Sequence, residues 1–431
     1  MNTEQLQQLD LQHLWHPYTR FSAQRAGLPV IERGEGVYLF DREGRRYLDA
    51  VSSWWACALG HGHPRLLEAM RRQSETLQHS ILGNLIHPRA VELADEIARW
   101  MPTPERHVMF ASDGASACEA ALKIAVQYHY NRGTRGRTRF MSIEQDYHGD
   151  TIGALSVGYL EQFHRAYDGV IPRELRVPLP DYETGAGFEP TRRLMEEHGD
   201  TLAAVIVEPL CQGANGMRMY PAQYLADLAQ ACRERGIVMI SDEIAMGFGR
   251  TGRNFAFEHA GIDPDIVCLG KALSSGYMPI SATVVKDELF ATFDDEREQD
   301  GTFYHGHTWC GHPIACAVAL EALEIYREMD IAARAAKRGA RMTEHFRELE
   351  GRPGVRDVRT LGMIAVAELE PAPDSRARAD RIRAALLERD ILVRPLGDVF
   401  YLMPPTIIDE EVLDGLCRDF VEILRKESSG S

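Results

Sequence analysis

Short apolar runs closed by polar or turn residues recur through the middle of this chain and alternate with helical stretches. HVMFAS (His107 to Ser112), RFMSIE (Arg139 to Glu144), AAVIVEP (Ala203 to Pro209), VMISDE (Val238 to Glu243) and DIVCLG (Asp265 to Gly270) are all of strand length. Helical patterns from Ala115 to Tyr130 and from Pro221 to Arg235 lie among them. Unbroken apolar runs of this length belong to strands buried on both faces. Strands alternating with helices predict an α/β fold, a mainly parallel sheet covered on both sides. Ligands of such sheets bind outside the carboxyl ends of the strands, so the residues closing each run face a crevice.

From about Ile331 the pattern changes. A long Arg/Ala-rich helix is followed by strand-like VRDVRTLGMIAVAEL (Val355 to Leu369), a loop at PAPDS and a helix near Arg376 to Arg389. ILVRPLG, FYLMPP and a terminal helix come next, and the polar end ESSGS is expected to be unstructured. This predicts two domains: a large one over 55–330 built on the mainly parallel sheet, and a smaller α+β one from 1–54 and 331–431. A chain of 431 residues, 45% hydrophobic, is long enough to bury both cores.

A net charge of -16 argues against nucleic acid or an anionic membrane as partner. The first residues, MNTEQLQQLDLQHLWHPYTRF, carry no basic stretch leading into an apolar one, so no secretory signal is expected. No run approaches the roughly 18 apolar residues of a membrane span. The eight cysteines form no CxxC pair, as expected of reduced thiols in a cytoplasm. The histidines of LGHGHP and YHGHTWCGHP sit in Gly-rich turns without complementary ligands at zinc-site spacing, so no metal site is expected.

Two run ends stand apart. VMISDE presents Asp242, and 29 residues later DIVCLGKALSSG presents Lys271. Pyridoxal 5'-phosphate needs an amine for covalent attachment and an acid that keeps its pyridine nitrogen protonated, so that the ring acts as an electron sink. Asp242 and Lys271 supply that pair. Taken singly, each is equally compatible with a solvated residue at a strand end.

The surrounding segment, Ser241 to Val285 with its GFGRTG turn and PDI strand, resembles the class III, fold type I aminotransferases in motif, order and separation. The resemblance implies a large domain with a seven-stranded type of sheet, and an enzyme in which Lys271 carries pyridoxal phosphate, Asp242 contacts its ring nitrogen and Arg250 plays a supporting role. FASDGASACEAALKIA (Phe110 to Ala125) has the form of a glycine turn opening a helix, where backbone N–H groups and the helix dipole attract an anion. Its likeness to the family's phosphate turn makes Gly114 and Ala115 contacts. Most relatives carry a hydroxyl where Ala115 stands, and Ser116 is a candidate replacement. Tyr147, in the family's YHG segment, has a flat face suited to stacking on the cofactor. Glu208, in VEPLCQGANGM, belongs to the family pattern without an assigned role. The family's HGxT segment reaches a partner's phosphate across a dimer interface. Here it is Gly306, His307 and Thr308, which implies a homodimer with shared sites.

HLWHPYTRF, SSWWACALGHGHP and VRPLGDVFYLMPP resemble the class III branch that acts in biotin synthesis, over about 13–424. That branch transfers an amino group from S-adenosylmethionine to 8-amino-7-oxononanoate. A long apolar acceptor ending in a carboxylate suits an aromatic wall and a bidentate arginine, and the resemblance assigns these to Trp54 and Arg394. Tyr18 and Tyr147 line the amine end, Tyr18 as a catalytic-site residue, and Gly306 and Tyr401 complete the substrate contacts. Tyr401 resembles the S-adenosylmethionine users, whereas HGHT and VRPLGDV are similar to a branch that uses lysine. Two other readings are a broad ω-amino-acid:pyruvate aminotransferase and a cofactor-binding protein without catalysis.

Overall fold

The computed structural model describes residues 1–180, 187–294 and 301–428. Its centre is a seven-stranded sheet: β1 Arg106–Ala111, β2 Arg139–Ile143, β3 Leu175–Val177, β4 Leu202–Val207, β5 Val238–Asp242, β6 Ile266–Leu269 and β7 Ser281–Lys286. The strand order is β1-β7-β6-β5-β4-β2-β3. Only β7 runs against its neighbours, pairing antiparallel with β1 and with β6, and the remaining pairs are parallel. Every residue of β4 and β5 is buried, which is why both are apolar without alternation up to Ser241 and Asp242 at the end of β5. The helix Gly114–Asn131 covers one face with its alanines, while Ala222–Arg235 packs its leucines and Tyr224 into the core on the other. Gly236, left-handed at φ 62°, ends the second helix.

A second core draws residues from both ends of the chain. Val37, Leu48 and Ala50 pack with Ala335, Phe346, Ile382, Phe400 and Phe420. The strands Ile31–Glu35, Tyr38–Asp41 and Arg46–Asp49 form one sheet with Ile391–Leu392, which pairs parallel to Arg46–Asp49. The strand-like run over 355–369 is a hairpin, Val355–Leu361 and Ile364–Leu369, turned at Gly362 and extended by Val399–Leu402.

The terminal helix Glu410–Ser428 incorporates the first residues of the polar end, which corrects the expectation of an unstructured ESSGS. Its amphipathic face carries Leu413, Leu416, Phe420 and Leu424 into the core, and docking outweighs the polar composition. The last three residues lie outside the described ones. Among the described residues no helix is long and apolar enough to cross a membrane.

Candidate active site

The carboxyl ends of the parallel strands open onto a cavity of about 800 Å³. Ser112 to Ala115 reach it after β1, Tyr147 to Thr151 after β2, Glu208 after β4, Asp242 at the end of β5 and Lys271 after β6. The loop before β7, Met278 to Ile280, closes one side, and Trp55 enters from the amino-terminal segment. Tyr147, Gly114, Ala115, Asp242 and Lys271 are thus brought together.

Lys271 opens a short 3-10 turn in the left-handed region, at φ 44°. Its amine lies 5.3 Å from the centroid of the buried Trp55 ring. Burial lowers its pKa against the opposing pull of Asp242 and Glu208, which favours the neutral, nucleophilic amine.

Asp242 is held from behind. Its Oδ2 accepts from His148 Nδ1 at 2.7 Å and from the Cys118 thiol at 3.5 Å, and its Oδ1 accepts from the Ile244 N–H at 3.1 Å. His148 Nε2 faces Asp146 Oδ2 at 3.7 Å. Burial opposes the charged imidazolium, but the flanking carboxylates of Asp146 and Asp242 prevail and lift the His148 pKa to about 10. A cation clamped between two acids keeps Asp242 aimed into the cavity. Cys118, His148 and Asp242 converge as metal ligands would. However, His148 Nδ1 is spent on Asp242, and a hydrogen bond with Cys268 together with burial raises the Cys118 thiol well above its ordinary range. The set is wired as a hydrogen-bond chain.

Glu208 is buried, accepting from the Tyr147 N–H at 2.8 Å and the Gly213 N–H at 2.9 Å. Burial and the nearby Asp146 raise its pKa to about 8. It fixes the Tyr147 turn from beneath.

At the start of the helix Gly114–Asn131, Asp113 accepts from the Ser116 N–H at 2.9 Å and from the Ser116 hydroxyl at 2.8 Å. The Ser116 N–H and hydroxyl are therefore both engaged in the helix cap. Gly149, at φ 120°, lies so close to Ala115 that a Cβ there would collide with the Ala115 methyl, and a Cβ at Gly114 would come within 2.8 Å of Ile244. Backbone and small side chains leave a shallow cradle beneath a helix N-terminus, the shape a phosphate group fits.

Tyr18, Trp54, Arg394 and Tyr401 do not line this cavity but stand beside it, joined to it through Asp150 and Trp55. The Arg394 guanidinium lies 3.8 Å from the Trp54 ring centroid, and Tyr18 meets Trp54 edge-on at 5.9 Å. The Tyr18 hydroxyl donates to Asp150, which also accepts from the Tyr147 hydroxyl at 3.1 Å. Burial and Asp150 push the Tyr18 pKa up to about 12. Tyr401 is buried and accepts from the Trp55 indole N–H at 3.1 Å. Arg250 lies in the core, donating to the Pro404 carbonyl at 2.8 Å, a structural contact rather than a cavity one.

Gly306, His307 and Thr308 are not among the residues lining this cavity. They line a second one of about 840 Å³, with Ile81, Leu82, Phe110, Phe290, Phe293 and Phe303. His307 Nε2 accepts from the Ser112 N–H at 3.2 Å, so the loop lies against the back of the cradle.

Residues 21–424 match the family described as aminotransferase class-III. The chain belongs to the class-III aminotransferases. This aminotransferase is 38% identical over 435 residues to the adenosylmethionine-8-amino-7-oxononanoate aminotransferase of Nitratidesulfovibrio vulgaris, an alignment covering 96% of this chain and 80% of that protein. The crystal structure of the enzyme of that name from Methanocaldococcus jannaschii aligns with TM-score 0.94 at 36% identity over 99% of each chain. The omega transaminase of Pseudomonas jessenii, in complex with PMP, aligns with TM-score 0.92 at 31% identity, covering 99% of this chain and 98% of that one.

In this aminotransferase, sequence reasoning missed His148, Asp146 and Asp150, although an acid, a histidine and a second acid alternate around Tyr147 in QDYHGD. It singled out Trp54 as the aromatic wall and gave Trp55 no role of its own. The residue beside Lys271 is Trp55, while Trp54, 37% exposed, forms the outer wall. That division follows from a left-handed turn that no spacing rule signals.

Proposed function

We propose that this protein is the biotin-pathway aminotransferase that converts 8-amino-7-oxononanoate and S-adenosylmethionine into 7,8-diaminononanoate and S-adenosyl-4-methylthio-2-oxobutanoate. The observation that carries the reading is one cavity with a buried amine, Lys271, and a clamped acid, Asp242, beside which Arg394 stacks on Trp54, the neighbour of the cavity-lining Trp55. The names of the relatives from Nitratidesulfovibrio vulgaris and Methanocaldococcus jannaschii support the same substrates.

Lys271, Asp242, Tyr147 and the Gly114–Ala115 cradle would hold pyridoxal 5'-phosphate, whose ring, when bound, draws electron density away from the substrate carbon bearing nitrogen. Lys271 Nζ removes the α-proton of the donor, and in the second half of the cycle it delivers a proton to C7 of the acceptor. Asp242, held by His148 from behind, would balance positive charge at the ring nitrogen. Tyr147, backed by Glu208, holds the flat face. Arg394 pairs with the acceptor carboxylate, and Trp54 and Tyr18 exclude water from the alkyl chain.

Among the described residues, an apolar cluster on each face of the seven-stranded sheet and another joining both chain ends support a large domain over 55–330 and a small one from 1–54 and 331–431. Thr308 and His307 lie by a broad apolar cavity flanked by the exposed Ile81, Leu85 and Trp309, which supports a homodimer that shares its sites. Eight free cysteines support a cytoplasmic setting.

The test is a pair of half-reactions. S-adenosylmethionine bleaches the visible absorbance of the cofactor-loaded protein, and 8-amino-7-oxononanoate restores it. Bleaching by lysine alone moves the protein to the lysine-using branch, and recovery with pyruvate but not with 8-amino-7-oxononanoate moves it to the ω-amino-acid class.

A further inference from the structure

Four consecutive residues, Ser52, Ser53, Trp54 and Trp55, have φ of 50°, 45°, 73° and 70°. This is one turn of left-handed helix, closed by the Trp55 N–H to the Val51 carbonyl at 2.8 Å and the Ala56 N–H to the Ser52 carbonyl at 3.0 Å. L-residues with a Cβ disfavour that hand, and none of the four is glycine. Something outside the turn must hold it.

The holder is Asp49, a buried carboxylate that makes no contact with the cavity. Its Oδ1 accepts from the Ser53 N–H at 3.0 Å and its Oδ2 from the Ser53 hydroxyl at 2.7 Å. His61 Nε2 lies 2.9 Å from the same Oδ2 and holds the carboxylate in this orientation. The Ser52 hydroxyl donates to the Met403 carbonyl at 2.7 Å, pinning the turn to the chain just beyond Tyr401.

Handedness decides what the two indoles do. In this turn Trp55 points inward to Lys271 and Tyr401, and Trp54 outward to Arg394 and Tyr18. Relaxing the turn to the right-handed form would re-aim both. We propose that Asp49, oriented by His61, is a positioning residue that imposes the left-handed turn at Ser52–Trp55 and thereby sets the substrate-facing geometry of Trp54 and Trp55. The consequence for substrates rests on the aminotransfer reading above. The consequence for the indoles does not.

Glycine provides the test, because it takes the left-handed conformation without cost. Asp49→Ala is compared with Asp49→Ala/Ser53→Gly and Asp49→Ala/Ser53→Ala. Two readouts are used: the near-ultraviolet circular dichroism of the cofactor-free protein, which reports the indoles, and KM and kcat for both substrates. The expected result is an altered indole signal and KM values raised roughly tenfold for Asp49→Ala. The glycine double variant regains the wild-type signal and most of the KM, and the alanine double variant regains neither. Equal behaviour of the two double variants, or unchanged indoles in Asp49→Ala, overturns the proposal. If Asp49→Ala does not fold, the single variants decide. Ser53→Ala must disturb the indoles and KM more than Ser53→Gly, and the reverse order overturns the proposal. If the wild-type protein does not turn over these substrates, the aminotransfer reading fails, while the spectra of the cofactor-free variants still decide the role of Asp49.

Discussion

His148 Nδ1 lies 2.7 Å from Asp242 Oδ2, with Asp146 3.7 Å from the other ring nitrogen, and all three side chains are buried. Removing one member of such a pair leaves a buried charge uncompensated, at a cost of about 3–5 kcal/mol. His148→Gln is therefore expected to lose stability of that order in chemical unfolding and to release pyridoxal phosphate more readily on dialysis. The sign with pH follows from the lifted pKa. Because His148 holds its proton to about 10 in the folded state against an ordinary 6.5, its contribution is complete below pH 6.5 and fades as pH rises toward 10. His148→Gln should flatten that alkaline decline.

Lys271 is the amine of the cavity. Lys271→Ala removes both the attachment point and the proton carrier, and a positioned acid-base group is worth roughly 10²- to 10⁴-fold in rate. Turnover should fall by at least that factor, with the visible absorbance of the bound cofactor shifted, as measured by steady-state assay and spectrum. Burial lowers the Lys271 pKa, so the neutral amine persists to lower pH than in an exposed lysine.

Glu208 gives the opposite acid-side signature to a paired carboxylate. Its folded pKa, about 8 against an ordinary 4.5, means that the unfolded chain sheds the proton first as pH rises. Stability from this group is full below pH 4.5 and declines between 4.5 and about 8. Glu208→Gln cannot ionise, so its unfolding free energy should be flatter than wild type across that window, whatever constant penalty the amide brings. An equal slope in both proteins would contradict the assignment.

Arg394 is stacked on Trp54, and its charge has the acceptor carboxylate as its proposed partner. A charge-assisted hydrogen bond is worth about 1.5–3 kcal/mol, or roughly 10- to 150-fold. Arg394→Ala should raise KM for 8-amino-7-oxononanoate within that range. Arg394→Lys should rescue it poorly, because an ammonium neither stacks flat on the indole nor pairs bidentately.

Much of this was legible from residue order. The runs ending at Ser112, Glu144, Pro209, Glu243 and Gly270 predict the central strands to within a residue or two, because strands buried on both faces must be apolar throughout. Asp242 and Lys271 follow, being the polar residues at the ends of such strands. His148, Asp146 and Asp49 were not legible. They act from behind other residues, and their meaning lies in contacts made across the fold, such as His148 to Asp242, 94 positions apart. Trp54 and Trp55 could be read as a pair, but not which faces inward, because that depends on a backbone hand that propensity opposes.

Thr308 and Lys271 provide the sharpest test of a shared site. Thr308 lines the apolar cavity rather than the one holding Lys271 of the same chain. If it serves a partner's phosphate, Thr308→Asp should cripple cofactor binding by placing a negative charge against an anion. Lys271→Ala should be inactive for an independent reason. Random mixing of the two inactive proteins makes about half of the dimers hybrid, each with one site containing both a native Lys271 and a native Thr308, so about a quarter of wild-type activity should return. Activity that stays at zero on mixing, with subunit exchange verified by differently tagged chains, would mean that each chain builds its site alone. Recovery requires that Thr308 acts across the interface.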